Sequence, residues 1–204
     1  MHETVALRGD DLEILRPRDS EALLDEHAFE QEEFLPYWAE LWPSGVALAR
    51  ALDGRALRGV PVLKLGCGLG LPSIVAARAG GRVLATDWSG AALELLHENA
   101  ARNDVVLETM RADWTRPDEL LARGPFPLVL AADVLYERRN VPVLLELLPR
   151  ITAPAGEIWL ADPGRATADA FLELADAEGW RHRATPDRDR PSVVVHRFTP
   201  SRTH

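Results

Sequence analysis

The stretch Leu65-Gly66-Cys67-Gly68-Leu69-Gly70-Leu71 decides the fold class of this chain. It follows an apolar segment, residues 60–65, that is typical of a buried β-strand, and it leads into a predicted helix over residues 72–79. Glycines at such a junction let the backbone turn sharply and approach a ligand closely, and the first amides of the helix are free to donate. This order predicts the first unit of a parallel α/β sheet, with a ligand site at the carboxyl ends of its strands.

The same pattern of strand, turn and helix repeats along the rest of the chain. Six more strands are predicted over residues 82–86, 105–109, 128–132, 157–161, 180–185 and 192–198. Helices are predicted between them over residues 91–102, 140–150 and 168–178. The alternation indicates an α/β fold with a Rossmann-like, doubly wound, seven-stranded sheet, mostly parallel, with an antiparallel hairpin at its C-terminal edge.

The first 58 residues differ in character from the rest. A helix capped by Ser20 is predicted first, and an aromatic, proline-rich segment over residues 34–45 follows it. A second helix is expected to begin with Ser44 as its cap. We therefore divide the chain into an N-terminal helical cap with the aromatic segment, residues 1–58, and a core over residues 59–204.

Composition and charge limit the classes of function. The 204 residues, 47% hydrophobic and 27% charged, suit one globular domain. A net charge of −9 argues against an extended nucleic-acid surface. We expect no membrane span, because no segment approaches about 20 apolar residues, and no secretory signal. The single cysteine, Cys67, leaves no internal disulfide and suggests a cytoplasmic protein without a metal site.

Two pairs of acidic and aromatic residues follow the second and third predicted strands. Asp87 can accept hydrogen bonds from both hydroxyls of a ribose, although it can also cap the next helix. Trp88 can pack against an adenine ring or act as a wedge between helices. Asp113 and Trp114 form the second pair, and Asp113 is suited either to an adenine amino group or to an ordinary loop cap. Together with the glycine loop, these residues predict a nucleoside site.

The spacing of the glycines discriminates between nucleoside cofactors. A dinucleotide fingerprint, G-x-G-x-x-G, requires glycine at position 71, where this chain has Leu71. The observed G-x-G-x-G is the spacing that we associate with S-adenosylmethionine (SAM), which has no pyrophosphate. An NAD(P)-binding oxidoreductase is therefore the second candidate. A degenerate SAM-binding module that serves a partner protein is the third.

Three segments of the sequence resemble the class I, seven-strand methyltransferases, and among them family 16, which includes protein lysine methyltransferases and nicotinamide N-methyltransferase-like proteins. They are the aromatic segment over residues 36–45, the glycine loop over residues 65–72, and Asp133-Val134-Leu135-Tyr136, which matches a D/E-x-x-Y/F motif. The resemblance extends from about residue 36 to residue 198. It implies a sheet whose seventh strand is inserted antiparallel, matching residues 192–198.

The resemblance also implies roles for the matching residues. The cofactor SAM would be bound by the glycines, Asp87 and the flanking side chains: Trp42, Gly66, Gly68, Gly70, Asp87, Trp88, Asp113 and Trp114. Asp133 and Tyr136 would face the methyl-transfer centre as catalytic residues, and the acceptor would be a protein lysine or a small-molecule amine. From the residues alone, the alternative is that Asp133 and Tyr136 only cap the turn that follows.

Lys64 departs from the family pattern, which usually has an acid two residues before the first glycine. On a strand, Lys64 projects to the same side as Gly66, which would bring its ammonium near the cationic sulfonium of SAM. Repulsion would weaken SAM binding unless Asp87 or Asp133 pairs with the lysine. The other possibility is that the side chain extends to solvent.

Overall fold

The computed structural model describes residues 1–18 and 37–200 of the chain. The strands of this part are β1 (His2–Val5), β2 (Leu12–Leu15), β3 (Pro61–Leu65), β4 (Arg82–Asp87), β5 (Glu108–Arg111), β6 (Phe126–Ala132), β7 (Thr152–Asp162), β8 (Arg181–Pro186) and β9 (Val194–Thr199). The α-helices are α1 (Pro43–Leu52), α2 (Leu71–Arg78), α3 (Gly90–Arg102), α4 (Asp118–Leu121), α5 (Asn140–Ile151) and α6 (Ala166–Ala177). A short 3-10 helix, Tyr37–Ala39, precedes α1.

Seven strands form one sheet in the order β5-β4-β3-β6-β7-β9-β8. Strands β3 to β7 pair in parallel, and β9 lies between β7 and β8, antiparallel to both. From β3 the chain continues to β4 and β5 on one side, whereas from β6 it continues to β7 on the other side. The connections that follow these two neighbouring strands therefore run in opposite directions. That divergence opens a crevice at their carboxyl ends, which is where sheets of this kind bind ligands. The predicted doubly wound sheet and its antiparallel C-terminal hairpin are confirmed.

Apolar clusters cover both faces of the sheet. One includes Leu48 and Leu52 of α1 and Ile74 of α2, and the other includes Leu144 and Leu148 of α5. Parallel strands buried on both faces are expected to be apolar along their whole length, as β6 is. Because α1 belongs to the same core as α2, residues 37–42, the described part of the aromatic segment before α1, lie close to the sheet. The division of the chain at residue 58 stays a prediction.

The N-terminus contains an element that the sequence did not suggest. Strands β1 and β2 form an antiparallel hairpin that packs on α3. Asn99 holds it there: its Oδ1 accepts from the Leu15 amide at 2.7 Å, and its Nδ2 donates to the carbonyls of Leu15 and Leu69, both at 3.0 Å. A buried asparagine of α3 thus ties the hairpin to the glycine loop.

Two predicted element boundaries differ from the structure, and one predicted helix lies outside the described residues. This helix is the one expected after Ser20. Ser44 is not the cap of α1, because the helix begins at Pro43 with Trp42 at its N-cap position, and the buried Ser44 hydroxyl makes no hydrogen bond within the part described. The third strand was predicted over residues 105–109, but β5 begins only at Glu108, and Val106 is 95% exposed.

Within residues 1–18 and 37–200, no helix has the length and apolar character needed to cross a bilayer.

Gly70 ends the glycine loop in a conformation that requires glycine. Its φ is +93°, and a Cβ at this position would overlap Cδ1 of the buried Leu96. We expect Gly70→Ala to lower the free energy of unfolding by about 2 kcal/mol, because it adds left-handed strain to overpacking. Denaturant unfolding measures this loss. The matched control is Gly45→Ala in α1, where no heavy atom lies within 4 Å and the change should be under about 1 kcal/mol.

A double variant separates the two causes of this loss. If overlap contributes, Gly70→Ala combined with Leu96→Ala should cost less than the sum of the two single changes. A Gly70→Ala protein that unfolds at the same denaturant concentration as Gly45→Ala would contradict the steric role of this glycine.

Candidate active site

A cavity of about 650 Å³ lies at the carboxyl ends of β3, β4 and β6. Its volume is typical of small-molecule sites. The residues lining it include nine of the ten predicted for the site: Trp42, Gly66, Gly68, Asp87, Trp88, Asp113, Trp114, Asp133 and Tyr136. Gly70, the tenth, is not part of the cavity lining and instead lies against Leu96.

The glycine loop presents backbone rather than side chains to the cavity. Gly66 and Gly68 have φ values of +60° and +50°, which side chains rarely allow. A Cβ at Gly66 would sit 3.5 Å from the ring of Trp114, and one at Gly68 would sit 3.3 Å from the carbonyl oxygen of Trp38. Because neither glycine has a side chain, a ligand in the cavity can approach the main chain of the loop closely.

Asp87, the last residue of β4, is fixed by two backbone amides. Its Oδ2 accepts from the Gly68 amide at 2.9 Å, and its Oδ1 accepts from the Ser89 amide at 3.0 Å. The cap of α3 is Ser89, whose hydroxyl accepts from the Ala92 amide. Each carboxylate oxygen of Asp87 can accept further hydrogen bonds, so the group is oriented and still able to bind paired hydroxyls.

The second acidic and aromatic pair serves its own loop as well as the cavity. Oδ1 of Asp113 accepts from the Thr115 hydroxyl at 2.6 Å and from the Thr115 amide at 2.9 Å, and Oδ2 pairs with Arg116 at 3.3 Å. The hydrogen bonds from Thr115 are the main reason that the pKa of Asp113 lies below its usual range. Trp88, the aromatic residue of the first pair, packs against Arg111, whose guanidinium carbon lies 4.8 Å from the centroid of the Trp88 ring.

Asp133 follows β6 in a left-handed conformation, with φ of +56°. Its amide donates to Ala161 of β7 at 3.0 Å, and its Oδ1 forms an ion pair with Nη1 of Arg165. The same Nη1 donates to Oδ2 of the buried Asp162 at 3.1 Å. The other oxygen of Asp133, Oδ2, is buried and has no hydrogen-bond partner among the described residues. A buried acceptor without a partner is costly in a native structure, so this oxygen is free to accept a hydrogen bond from a further group.

Tyr136 forms an aromatic cluster with the segment before α1. Its ring centroid lies 5.4 Å from that of Tyr37, and Tyr37 lies 6.2 Å from Trp42. The indole nitrogen of Trp42 donates to the Tyr37 carbonyl at 2.6 Å and fixes the two together. Burial, followed by the charges of Glu137 and Asp87, raises the pKa of the Tyr136 phenol. The phenol therefore stays neutral at physiological pH.

The side chain of Lys64 is only 1% exposed, so it does not extend to solvent. It lies on the side of Gly66 instead: its Nζ donates to the carbonyl oxygens of Leu65 at 2.7 Å and Gly66 at 2.6 Å. Within residues 1–18 and 37–200, it forms no ion pair with Asp87 or Asp133 that would offset its charge.

Arg165 and Tyr37 also line the cavity. The turn that contains Arg165, residues 162–165, follows the carboxyl end of β7, and its sequence is consistent with either a border of the substrate pocket or an ordinary D-P-G turn. The structure places Arg165 in the cavity lining. Tyr37 belongs to the aromatic segment, but nothing in its spacing distinguishes it from its neighbours. Among the residues described, no cluster of three or more His, Cys, Asp or Glu side chains is suited to a metal ion.

Several lysine methyltransferases are among the known proteins to which this chain is similar. The sequence model of the lysine methyltransferase family matches residues 27–177. The electron transfer flavoprotein beta subunit lysine methyltransferase of Xenopus laevis is 35% identical over 137 residues, which are 64% of this chain and 54% of that protein. Protein N-lysine methyltransferase METTL21A of Mus musculus is 34% identical over 150 residues, which are 69% of this chain and 67% of that protein.

The matched region therefore spans little more than half the length of the Xenopus relative. Among solved structures, a TehB-like SAM-dependent methyltransferase from Corynebacterium glutamicum superposes with a TM-score of 0.62 at 20% identity, covering 76% of this chain and 88% of that one. At that identity the likeness shows the fold. Because the family model covers well over half of its residues, this chain belongs to the lysine methyltransferase family.

Proposed function

We propose that this protein transfers a methyl group from SAM to the side-chain amine of a protein lysine. The observation that carries the proposal is the carboxylate of Asp133. One of its oxygens is held by Arg165, the other has no partner within the described residues, and Asp133 lines the same cavity as Asp87 and the glycine loop.

The residues of the cavity fit SAM. Asp87 offers oriented carboxylate oxygens to the ribose hydroxyls, and Gly66 and Gly68 offer a main-chain surface to the methionine part. Trp88 and Trp114, with Asp113, surround the space that suits adenine. SAM supplies the reactive methyl group, so the task of the protein is binding, orientation and electrostatics.

The aromatic cluster fits the incoming amine. Tyr37 and Tyr136, which are 42% and 45% exposed, line the cavity where a long aliphatic side chain could pack against the rings. A lysine amine, with an ordinary pKa of about 10.4, must lose a proton before it can act as a nucleophile. Desolvation against the aromatic rings lowers that pKa, and a hydrogen bond to the Asp133 carboxylate would hold the nitrogen in position.

The other candidate functions have less support. Leu71, where a dinucleotide site has glycine, is buried at the start of α2, which argues against an NAD(P)-binding oxidoreductase. A small-molecule amine would satisfy the same cavity, but the curated relatives named above are protein lysine methyltransferases. The single cysteine, Cys67, is buried and suits a reducing, cytoplasmic setting.

Isotope labelling tests the proposal directly. The protein is incubated with SAM carrying a deuterated methyl group and with lysate of the source organism, separated beforehand into protein and small-molecule fractions. We expect heavy methyl groups on lysine side chains of the protein fraction, detected by mass spectrometry, and none with heat-inactivated enzyme. Label in small molecules alone would replace the lysine acceptor with a small amine. No transfer in either fraction, despite SAM binding, would favour a binding module.

A further inference from the structure

Lys64 places a buried cation behind the wall of the cavity. The residue lies in the middle of the sheet, between Ala85 of β4 and Leu130 of β6. Its ammonium donates to the carbonyls of Leu65 and Gly66, at 2.7 and 2.6 Å. Because Gly66 lines the cavity, a single carbonyl group separates the ammonium from the space that the methionine part of SAM would take.

The charge of this lysine can change within an accessible range of pH. Burial lowers the pKa of Lys64 to about 8, while Cys67 of the loop, Asp87 at the end of β4 and Asp133 after β6 act in the opposite direction. Burial also raises the pKa of the Cys67 thiol, so that this neighbour stays neutral. Lys64 is therefore mostly charged at about pH 7 and mostly neutral at about pH 9.5.

SAM and its product, S-adenosylhomocysteine (SAH), differ in charge as well as by a methyl group. The sulfonium of SAM is positive, whereas the thioether of SAH is neutral. A fixed cation behind the wall therefore repels the sulfonium, which SAH lacks, and acts alike on the amino-acid charges that the two ligands share. Two unit charges about 10 Å apart, in a medium of effective dielectric constant about 20, change a binding constant roughly tenfold.

We propose that Lys64 determines specificity between cofactor and product: its ammonium, held against the Gly66 carbonyl, weakens SAM relative to SAH. This inference rests on the proposed use of SAM. Its consequence is strong product inhibition, so that sustained turnover depends on a separate reaction that consumes SAH. An acid at position 64 would have the opposite effect, because its negative charge would attract the sulfonium and favour SAM over SAH.

Calorimetric titration with SAM and with SAH tests the role of Lys64 without measuring turnover. The proteins are the wild type, Lys64→Met, which keeps the length of the side chain, and Lys64→Gln, which keeps a donor but loses the charge. Arg102→Met is the matched control, because it removes an exposed cation at the end of α3. Each titration is done at about pH 7 and about pH 9.5, and variants are compared with wild type at the same pH, which removes the titration of the ligands themselves.

At about pH 7 we expect the ratio of the Kd for SAM to the Kd for SAH to fall roughly tenfold in both Lys64 variants and to stay unchanged in Arg102→Met. At about pH 9.5 the difference between wild type and the variants should largely disappear. If both ligands bind and the ratio is the same in all four proteins, Lys64 has no such role. Should one variant fail to fold, the other gives the same comparison. A wild-type protein that binds neither SAM nor SAH would overturn the proposed function and this inference with it.

Discussion

Replacement of Asp87 by alanine is expected to weaken SAM binding by at least about 100-fold, or about 2.7 kcal/mol. In the proposed function the Asp87 carboxylate accepts both ribose hydroxyls, and hydrogen bonds to a charged acceptor contribute about 1.5–3 kcal/mol each. The loss has a second source, because Oδ2 of Asp87 also accepts from the Gly68 amide and shapes the loop. Calorimetry with SAM measures the effect.

The control for Asp87→Ala is Glu98→Ala, which removes the same charge from an exposed position on α3. We expect its Kd for SAM to remain within twofold of wild type, on the order of experimental scatter. Melting temperatures of both variants establish that the protein is folded during the titration. If Asp87→Ala binds SAM as tightly as Glu98→Ala does, the ribose is bound elsewhere in the cavity.

Much of this fold could be predicted because strands that are buried on both faces of a parallel sheet are recognisable as continuous apolar segments. Val129, Leu130 and Ala131 in β6 are fully buried and apolar, and the glycines after β3 fix the turn into α2. Once strand order is known, residues at the carboxyl ends must meet at one edge, which is why Asp87 and Asp133 line one cavity. The fold and the position of Asp87 needed only local pattern and the geometry of parallel sheets, whereas the role of Asp133 was implied by the family resemblance.

Other features depend on contacts between distant parts of the chain. The hairpin of β1 and β2 is held by Asn99, about 85 residues away, and no local pattern reports such a partner. The edge strand β5 was misplaced because its position depends on pairing with β4, while its own residues are only half buried. A weakly apolar strand is defined by its neighbour rather than by its own sequence.

The electrostatics of the site were the least predictable feature. An ion pair of Lys64 with Asp87 or Asp133 was one possibility, but the ammonium donates instead to the carbonyls of Leu65 and Gly66 at the glycine turn. Asp133 is paired instead with Arg165, which follows the neighbouring strand. Which cation pairs with which anion depends on side-chain conformations and on differences in distance of a few ångströms. Residue spacing alone does not specify either of these.

The pairing of Asp133 with Arg165 allows a sharp test of catalysis. Asp133→Asn keeps the shape of the side chain and suits the backbone φ of +56°, since asparagine tolerates the left-handed region well. It removes the negative charge of the carboxylate that we propose as the acceptor for the substrate amine. We expect kcat for methyl transfer to fall by about 10²–10³-fold, in the range typical for loss of a positioned acid or base. The Kd for SAM should change much less.

A second substitution in the same cavity distinguishes this catalytic role from a general effect of lost charge. Asp113→Asn removes a carboxylate that is engaged with Thr115 and Arg116 at the adenine end. We expect it to raise the KM for SAM while kcat stays near wild type, because its contacts are equal in the ground and transition states. Opposite kinetic signatures for two identical substitutions would assign chemistry to Asp133 and cofactor binding to Asp113. Equal losses of kcat in both variants would instead mean that the cavity responds only to its total charge.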